Sequence, residues 1–281
     1  MSNIQKFSYH NHTNFSDGSN TLEEMVAQAK KIGFCELGIS DHLIVHKNMM
    51  QSPSWNKLST LNASYIYNNS FKNILSKYQS HCEKIRKISA RENIKLYVGF
   101  EVDFFTYNGW LDEFNEFIKQ LDYDYLISGN HFFCNEDGSQ IINIDSLKGK
   151  ANNIPNLSEY IVRHFDTIKK SIESNLFTFL AHLDYVRKLG DYICGPKMYQ
   201  QEKNQVLSAL QNFNKGIEIS TKGLRKIGDF YPCQEILQEI AKRNIKVVIS
   251  DDAHSVNELG TDFAKAEAEL LKHSITHRLK L

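Results

Sequence analysis

The feature that most constrains this chain is a recurrence: short β-rich runs alternate with helical patterns, and most of those runs finish on a histidine or a carboxylate. Seven runs read as strands: Phe7–His12, Glu36–Ser40, Leu96–Asp103, Tyr125–Asn130, Phe177–His182, Gly216–Ser220 and Val247–Ser250. Between them apolar residues recur at spacings of three and four, which predicts helices over Phe71–Asn93, Leu111–Leu121, Leu157–Ser174, Gln201–Phe213, Cys233–Arg243 and Val256–His273. A further helix starts at Thr21, whose hydroxyl and Glu24 form a capping box, and runs to about Ile32, with Gly33 as its stop. Such alternation predicts an α/β fold, a parallel sheet or barrel with helical crossovers. Two stretches break the rhythm, Ile44–Asn69 and Phe133–Asn156, and read as long loops that wall a pocket on the strand-to-helix side. With no repeat or flexible linker, residues 1–281 read as one domain.

Composition narrows the class of partner. Thirty-three Lys and Arg balance thirty-three Asp and Glu, so no net positive charge drives binding to nucleic acid. Met1 to Ser8 holds no apolar run of a signal peptide, and no stretch is long and apolar enough to cross a bilayer, which predicts a cytoplasmic protein with no membrane partner. Five scattered cysteines without a CxxC pair read as reduced bystanders. The sequence leaves the number of subunits open.

The histidines carry the chemistry. His10-Asn11-His12 places two imidazoles on one face of the first strand, since residues two apart along a strand point the same way. That pair alone reads equally well as two packed histidines, and Asp17 in Ser16-Asp17-Gly18 as a turn residue. The recurrence decides: strand two runs into Asp41-His42, strand three contains Glu101, strand four leads to His131, strand five to His182, and strand seven to Asp252-Ala253-His254. Six of the eleven histidines sit where a strand finishes, whereas His46, His81, His164, His273 and His277 share no location and read as surface or packing residues. Parallel strands put their C-terminal ends on one face, so these side chains converge on one pocket.

Imidazole and carboxylate without thiolate suit zinc, manganese or iron rather than magnesium or calcium. Nine candidate ligands, His10, His12, Asp17, His42, Glu101, His131, His182, Asp252 and His254, are too many for one ion and suit two or three. Three divalent ions facing three carboxylates and a hydroxide leave about two positive charges, which a phosphate dianion neutralises and a carbonyl does not. Phosphate-gripping cations lie close by in sequence: Arg163, Arg187 just after His182, and Lys222 and Arg225 after strand six. Arg187 is the first choice among them.

These residues resemble the polymerase-and-histidinol-phosphatase superfamily, through the strand-end HxH, the following aspartate, the second-strand histidine, the glutamate, the later histidines and the terminal Asp252-Ala253-His254. Glu218-Ile219-Ser220-Thr221-Lys222-Gly223-Leu224-Arg225-Lys226, followed by Tyr231-Pro232, is similar to the histidinol-phosphatase branch. The resemblance implies a distorted (β/α)7 barrel with its metal site at the C-terminal ends of the strands, and hydrolysis of L-histidinol phosphate in histidine biosynthesis. It implies one ion on His10, His12, Glu101 and Asp252, a second on Glu101, His131 and His182, and a third on Asp17, His42 and His254. The expected mechanism is in-line attack on phosphorus by a water that coordination acidifies from about 15.7 toward about 7. Arg187, helped by Arg163 or Arg225, orients the phosphate, and a coordinated water, Asp252 or His254 protonates the leaving oxygen. Asp137 or Asp145 receives the cationic tail of the substrate. The alternatives are a related phosphoesterase acting on nucleotides or oligonucleotide ends, and a non-catalytic metal-binding regulator.

Overall fold

The computed structural model describes residues 4–58 and 64–281. Its centre is one sheet of seven parallel strands, β1 (Phe7–Ser8), β2 (Glu36–Ile39), β3 (Lys95–Val102), β4 (Tyr125–Ser128), β5 (Phe179–Leu180), β6 (Gly216–Ser220) and β7 (Val247–Ser250). Each strand pairs with the next in chain order. Parallel neighbours cannot be joined by a hairpin, so helices cross between them. Past the end of β1, Asn11 bridges to Ala253 beyond β7, and His12 N–H donates to the Ala253 carbonyl at 2.8 Å. Gln5 adds a second tie, its amide donating to the Ile249 carbonyl at 2.7 Å and accepting from Ile249 N–H at 3.2 Å. The sheet thus curls into a nearly closed, distorted (β/α)7 barrel.

Strands walled on both faces have no polar side to show, and β4, β6 and β7 are buried throughout. Inside the barrel an aromatic plug of Tyr9, Tyr97, Tyr125 and Phe179 packs with Val248. Gly38 and Gly99 make room for it: a Cβ on either would fall within 2.3 Å of the Tyr125 ring or hydroxyl. Outside, the helices close over a continuous apolar layer that includes Leu37, Val98, Leu126, Ile217 and Ile249.

The capping box forms as expected on the helix Leu22–Lys31, with Thr21 and Glu24 exchanging hydrogen bonds and Gly33 at φ +79° past its end. Helices Trp110–Ile118, Leu157–Glu173, Gln200–Asn212 and Gln234–Lys242 lie within a few residues of expectation. Phe71–Asn93 divides into a 3-10 turn over Phe71–Asn73 and a helix over Leu75–Arg91. The helix expected over Val256–His273 forms only at Phe263–Lys272. Gly260 and Asp262 before it adopt positive φ, and the His254 and Gly260 amides are held by the Glu258 and Asp251 carboxylates.

The two long loops are more structured than the sequence predicts. In the first, His42–Val45 is a strand that pairs with the end of β3 and with Tyr67–Asn68, although residues 59–63 of that stretch lie outside the described residues. The N-terminal stretch Met1 to Ser8 is likewise described only from residue 4. In the second, Phe132–Cys134 and Ile141–Asn143 form an antiparallel ribbon, followed by 3-10 turns. Strands this short are held by their pairing partners, so local periodicity does not announce them.

Candidate metal centre

Glu101 lies near the end of β3, fully buried, and a buried carboxylate needs partners. It has five imidazoles around it. Oε2 lies 3.2 Å from His10 Nε2, 3.4 Å from His12 Nε2 and 3.1 Å from His42 Nδ1. Oε1 lies 2.9 Å from His182 Nε2 and 3.4 Å from His131 Nε2.

Each partner is placed by its strand end. Asn11 turns its side chain away from the rings to donate to the Ser8 and Gly38 carbonyls, which leaves His10 and His12 on the same side. His42 is the register partner of Glu101. Asn130, at φ +62°, swings the chain so that His131 meets Asp103, which accepts from its backbone N–H and from Nδ1 at 3.0 Å. Beyond β7, Asp252 Oδ1 stands 3.1 Å from His12 Nε2 and 3.6 Å from His10 Nε2. Gly18 folds the first loop back so tightly that a Cβ there would meet the His12 carbonyl at 2.7 Å. Asp17 is thereby brought 3.5 Å from His42 Nε2, with its other oxygen 3.2 Å from His254 Nε2.

All nine sequence-predicted ligands therefore fall in one cluster. Three overlapping groups have donor atoms within 4.8 Å of one another: His10, His12, Glu101 and Asp252; His12, Asp17, His42 and His254; and His42, Glu101 and His131. His182 stands on the Oε1 side of Glu101. Burial opposes charge on Glu101, Asp17 and Asp252, yet the cations beside them hold all three carboxyls well below the usual range: His10 and His131 for Glu101, His42 and His254 for Asp17, Lys222 and His10 for Asp252. Against the same burial, Asp17 and Glu101 push His42 up to about 9. Buried His12, beside His254 and His42, is pushed down to about 3.

The donor set fits divalent cations. His10 Nε2, both His12 nitrogens, His42 Nδ1, Glu101 Oε2 and Asp252 Oδ1 are buried without a hydrogen bond. Buried polar atoms are normally satisfied, and lone pairs aimed at a common centre are what an ion coordinates. The absence of thiolate from the set suits zinc, manganese or iron.

A cavity of about 270 Å³ opens over Asp17, His42, His131 and His254. Its cations are lysines: Lys188, Lys222 and Lys226. Of the four basic residues expected to grip phosphate, only Lys222 lines it, with Nζ 2.7 Å from Asp252 Oδ2. Arg187 turns inward on the 3-10 turn Tyr185–Leu189, where Asp184, Asp229 and the Phe230 carbonyl take its guanidinium. Arg163 stacks on Tyr160 and lines a different hollow. Arg225 donates to the Asp251 carbonyl. The three arginines are held by neighbouring acceptors or ring faces and do not line this cavity.

Lys188 also ion-pairs with Asp145, whose carboxylate accepts from the Tyr185 hydroxyl at 3.0 Å. Asp137, the other acid considered, sits on the Ser139 turn away from the cavity. Sequence reasoning missed Lys188, Tyr185, Asp103 and Glu218. Two of these had a signal: Asp103 is two residues past Glu101 on the same strand face, and Glu218 is a lone charge inside the apolar run Gly216–Ser220. The five histidines set aside as packing lie outside the cluster; His81, for instance, bonds Asp41 and stacks on Phe15 at 3.8 Å.

Comparison with known proteins bears on the family and the fold. The PHP domain family matches residues 8–222. A curated relative from Deinococcus radiodurans, described as "Probable histidinol-phosphatase", is 24% identical over 191 residues, spanning 66% of this chain and 66% of its own length. Among solved structures, a candidate histidinol phosphatase of Listeria monocytogenes superimposes with a TM-score of 0.74 at 22% identity, over 92% of this chain and 99% of its own. A histidinol phosphate phosphatase of Lactococcus lactis, solved with zinc, L-histidinol and phosphate, superimposes with a TM-score of 0.71 at 20% identity, over 98% and 95%.

Proposed function

The chain belongs to the PHP domain family, and on that premise we propose that it is a metal-dependent histidinol-phosphatase, hydrolysing L-histidinol phosphate to L-histidinol and inorganic phosphate in cytoplasmic histidine biosynthesis. The observation that carries this reading is the cluster of unsatisfied imidazole and carboxylate atoms lying beneath a small cavity with three lysines. The relative and the two solved structures described above support the choice of substrate. Residues 1–281 act as one catalytic domain.

His10, His12, Glu101 and Asp252 would hold one ion, Asp17, His42 and His254 another, and Glu101 with His131 and His182 a further one. Two or three ions of zinc, manganese or iron, once bound, supply Lewis acidity and an acidified water nucleophile. The protein's own part is positioning. Lys222, anchored on Asp252, and Lys226 draw the phosphate onto the cluster. Hydrolysis forms one P–O bond to water and breaks the P–O bond to the alkoxide, which leaves as an alcohol and needs one proton. The proton that the attacking water gives up balances the one the alcohol gains.

The Asp145–Lys188 pair supports a substrate carrying both charges. A phosphate takes Lys188 while an ammonium or imidazolium takes Asp145, so one zwitterionic ligand replaces an internal ion pair with two external ones. The 270 Å³ cavity and the zero net charge favour a small phosphomonoester over long nucleic acid. The test is phosphate release from L-histidinol phosphate and from a panel of small phosphomonoesters and nucleotides, with and without added zinc or manganese. Release that requires metal and favours L-histidinol phosphate is expected. Full activity after chelator stripping overturns the metal reading, and faster release from nucleotides overturns the substrate.

A further inference from the structure

Behind the metal-facing atoms lies a carboxylate that is not among the residues lining the cavity over the cluster. Glu218, in the middle of β6, is fully buried and, among the described residues, pairs with no lysine or arginine. Its contacts run to three other strand ends. Oε2 lies 2.7 Å from His10 Nδ1 and accepts from the Ser250 hydroxyl at 2.6 Å; Oε1 accepts from the His182 backbone N–H at 2.8 Å. A carboxylate oxygen that accepts from Nδ1–H keeps a His10 proton on that nitrogen, so that Nε2 is the atom left to offer a lone pair when an ion takes it. That Nε2 is the buried atom without a hydrogen bond, facing Glu101 and Asp252.

We propose that Glu218 is a positioning residue that sets two metal positions together, fixing the tautomer and tilt of His10 for one and the backbone from which His182 reaches Glu101 for the other. The inference rests on the metal-phosphatase reading. Asp103 is the counterpart that reaches one position only, since it holds His131 alone among the cluster's imidazoles. Asp17, His42 and His254 receive no hydrogen bond from either, so the third position is independent of Glu218. Carboxylates that orient ligating histidines raise the basicity of the free nitrogen and cut the disorder of the ring, which is why their loss weakens metal binding.

The experiment titrates the metal-stripped full chain with Zn²⁺ against a chelating dye, which counts bound ions and their affinities without reference to turnover. Glu218→Gln is expected to weaken two of the bound ions by about 10- to 100-fold and leave one unchanged, and Asp103→Asn to weaken one. Far-UV circular dichroism checks that each variant folds. If Glu218→Gln does not fold, Glu218→Asp carries the same test: it keeps the charge but withdraws it from His10 by one methylene, and the same two-ion loss is expected. Unchanged affinities in the folded variant, or weakening of a single ion, overturn the proposal. A wild-type chain that binds no Zn²⁺ instead overturns the metal-phosphatase reading on which it rests.

Discussion

His42 and Glu101 are register partners on adjacent parallel strands, and the pairing sets His42 Nδ1 3.1 Å from Glu101 Oε2. Because the strand on which His42 begins is hydrogen-bonded to the end of β3, this approach is built into the backbone rather than left to side-chain rotamers. Glu101 thereby belongs to two of the three donor groups and touches His12 and His42 of the third.

Glu101→Gln should therefore be more damaging than loss of any one histidine. It removes the carboxylate that meets His10, His12 and His42 on one oxygen and His131 and His182 on the other, and kcat should fall by about a thousandfold or more. Steady-state phosphate release together with metal analysis checks this. His131→Ala should lower turnover less than Glu101→Gln, and Asp103→Asn less again.

Lys222 and Arg187 should separate cleanly. Lys222→Ala leaves Asp252 without its lysine and the cavity with two lysines in place of three, so kcat/KM should drop by about 10- to 100-fold with the denaturation midpoint little changed. Arg187→Ala uncovers buried Asp184, and breaking such a pair costs about 3 kcal/mol of stability. Urea denaturation beside kinetics reads both. An Arg187→Ala protein of normal stability with lost phosphate affinity would restore arginine to the phosphate site.

Asp145→Asn should remove the preference for a cationic substrate. The ratio of kcat/KM for L-histidinol phosphate to that for an uncharged phosphomonoester should fall about tenfold, a single charge-assisted contact being worth roughly 1.5 kcal/mol. Retention of the full ratio would place cation recognition elsewhere.

His46 should make the protein acid-sensitive. Burial, with Lys47 beside it, pushes the ring down to about 4, and its Nδ1 accepts from Asn48 N–H, as only an unprotonated nitrogen does. A folded-state value below the unfolded value of about 6.5 means that stability is fully present above pH 6.5 and is lost as pH falls from there toward 4. The loss from this residue at pH 5 is about 2 kcal/mol. In urea titrations from pH 7.5 to pH 5, His46→Gln should flatten the decline, even if less stable at pH 7.5.

The strands were legible because each is a compact run of β-branched and aromatic residues between helical patterns, as in Tyr125–Ser128 and Val247–Ser250. The candidate ligands were legible because a strand end and an i, i+2 spacing are local properties, as in His10-Asn11-His12. The phosphate-facing cations were not. Arg187 was favoured for its nearness in sequence to His182, yet one residue further on Lys188 enters the cavity and Arg187 turns inward. On a 3-10 turn neighbouring side chains diverge widely, and which one faces inward depends on acceptors at Asp229 and Phe230, some forty residues away. The ribbon Phe132–Cys134 with Ile141–Asn143 was hidden for a related reason, since its alternation is too short to show without its partner.

By itself, then, the sequence determined that this is a parallel α/β chain whose imidazoles and carboxylates gather at the C-terminal ends of its strands, because strand alternation and parallel pairing leave them no other place to go. Tertiary structure alone decided that Glu101 joins the donor groups, that Glu218 and Asp103 stand behind His10 and His131, and that lysines rather than arginines face the cavity. Those outcomes depend on distances between residues remote along the chain, which packing sets and local pattern does not encode.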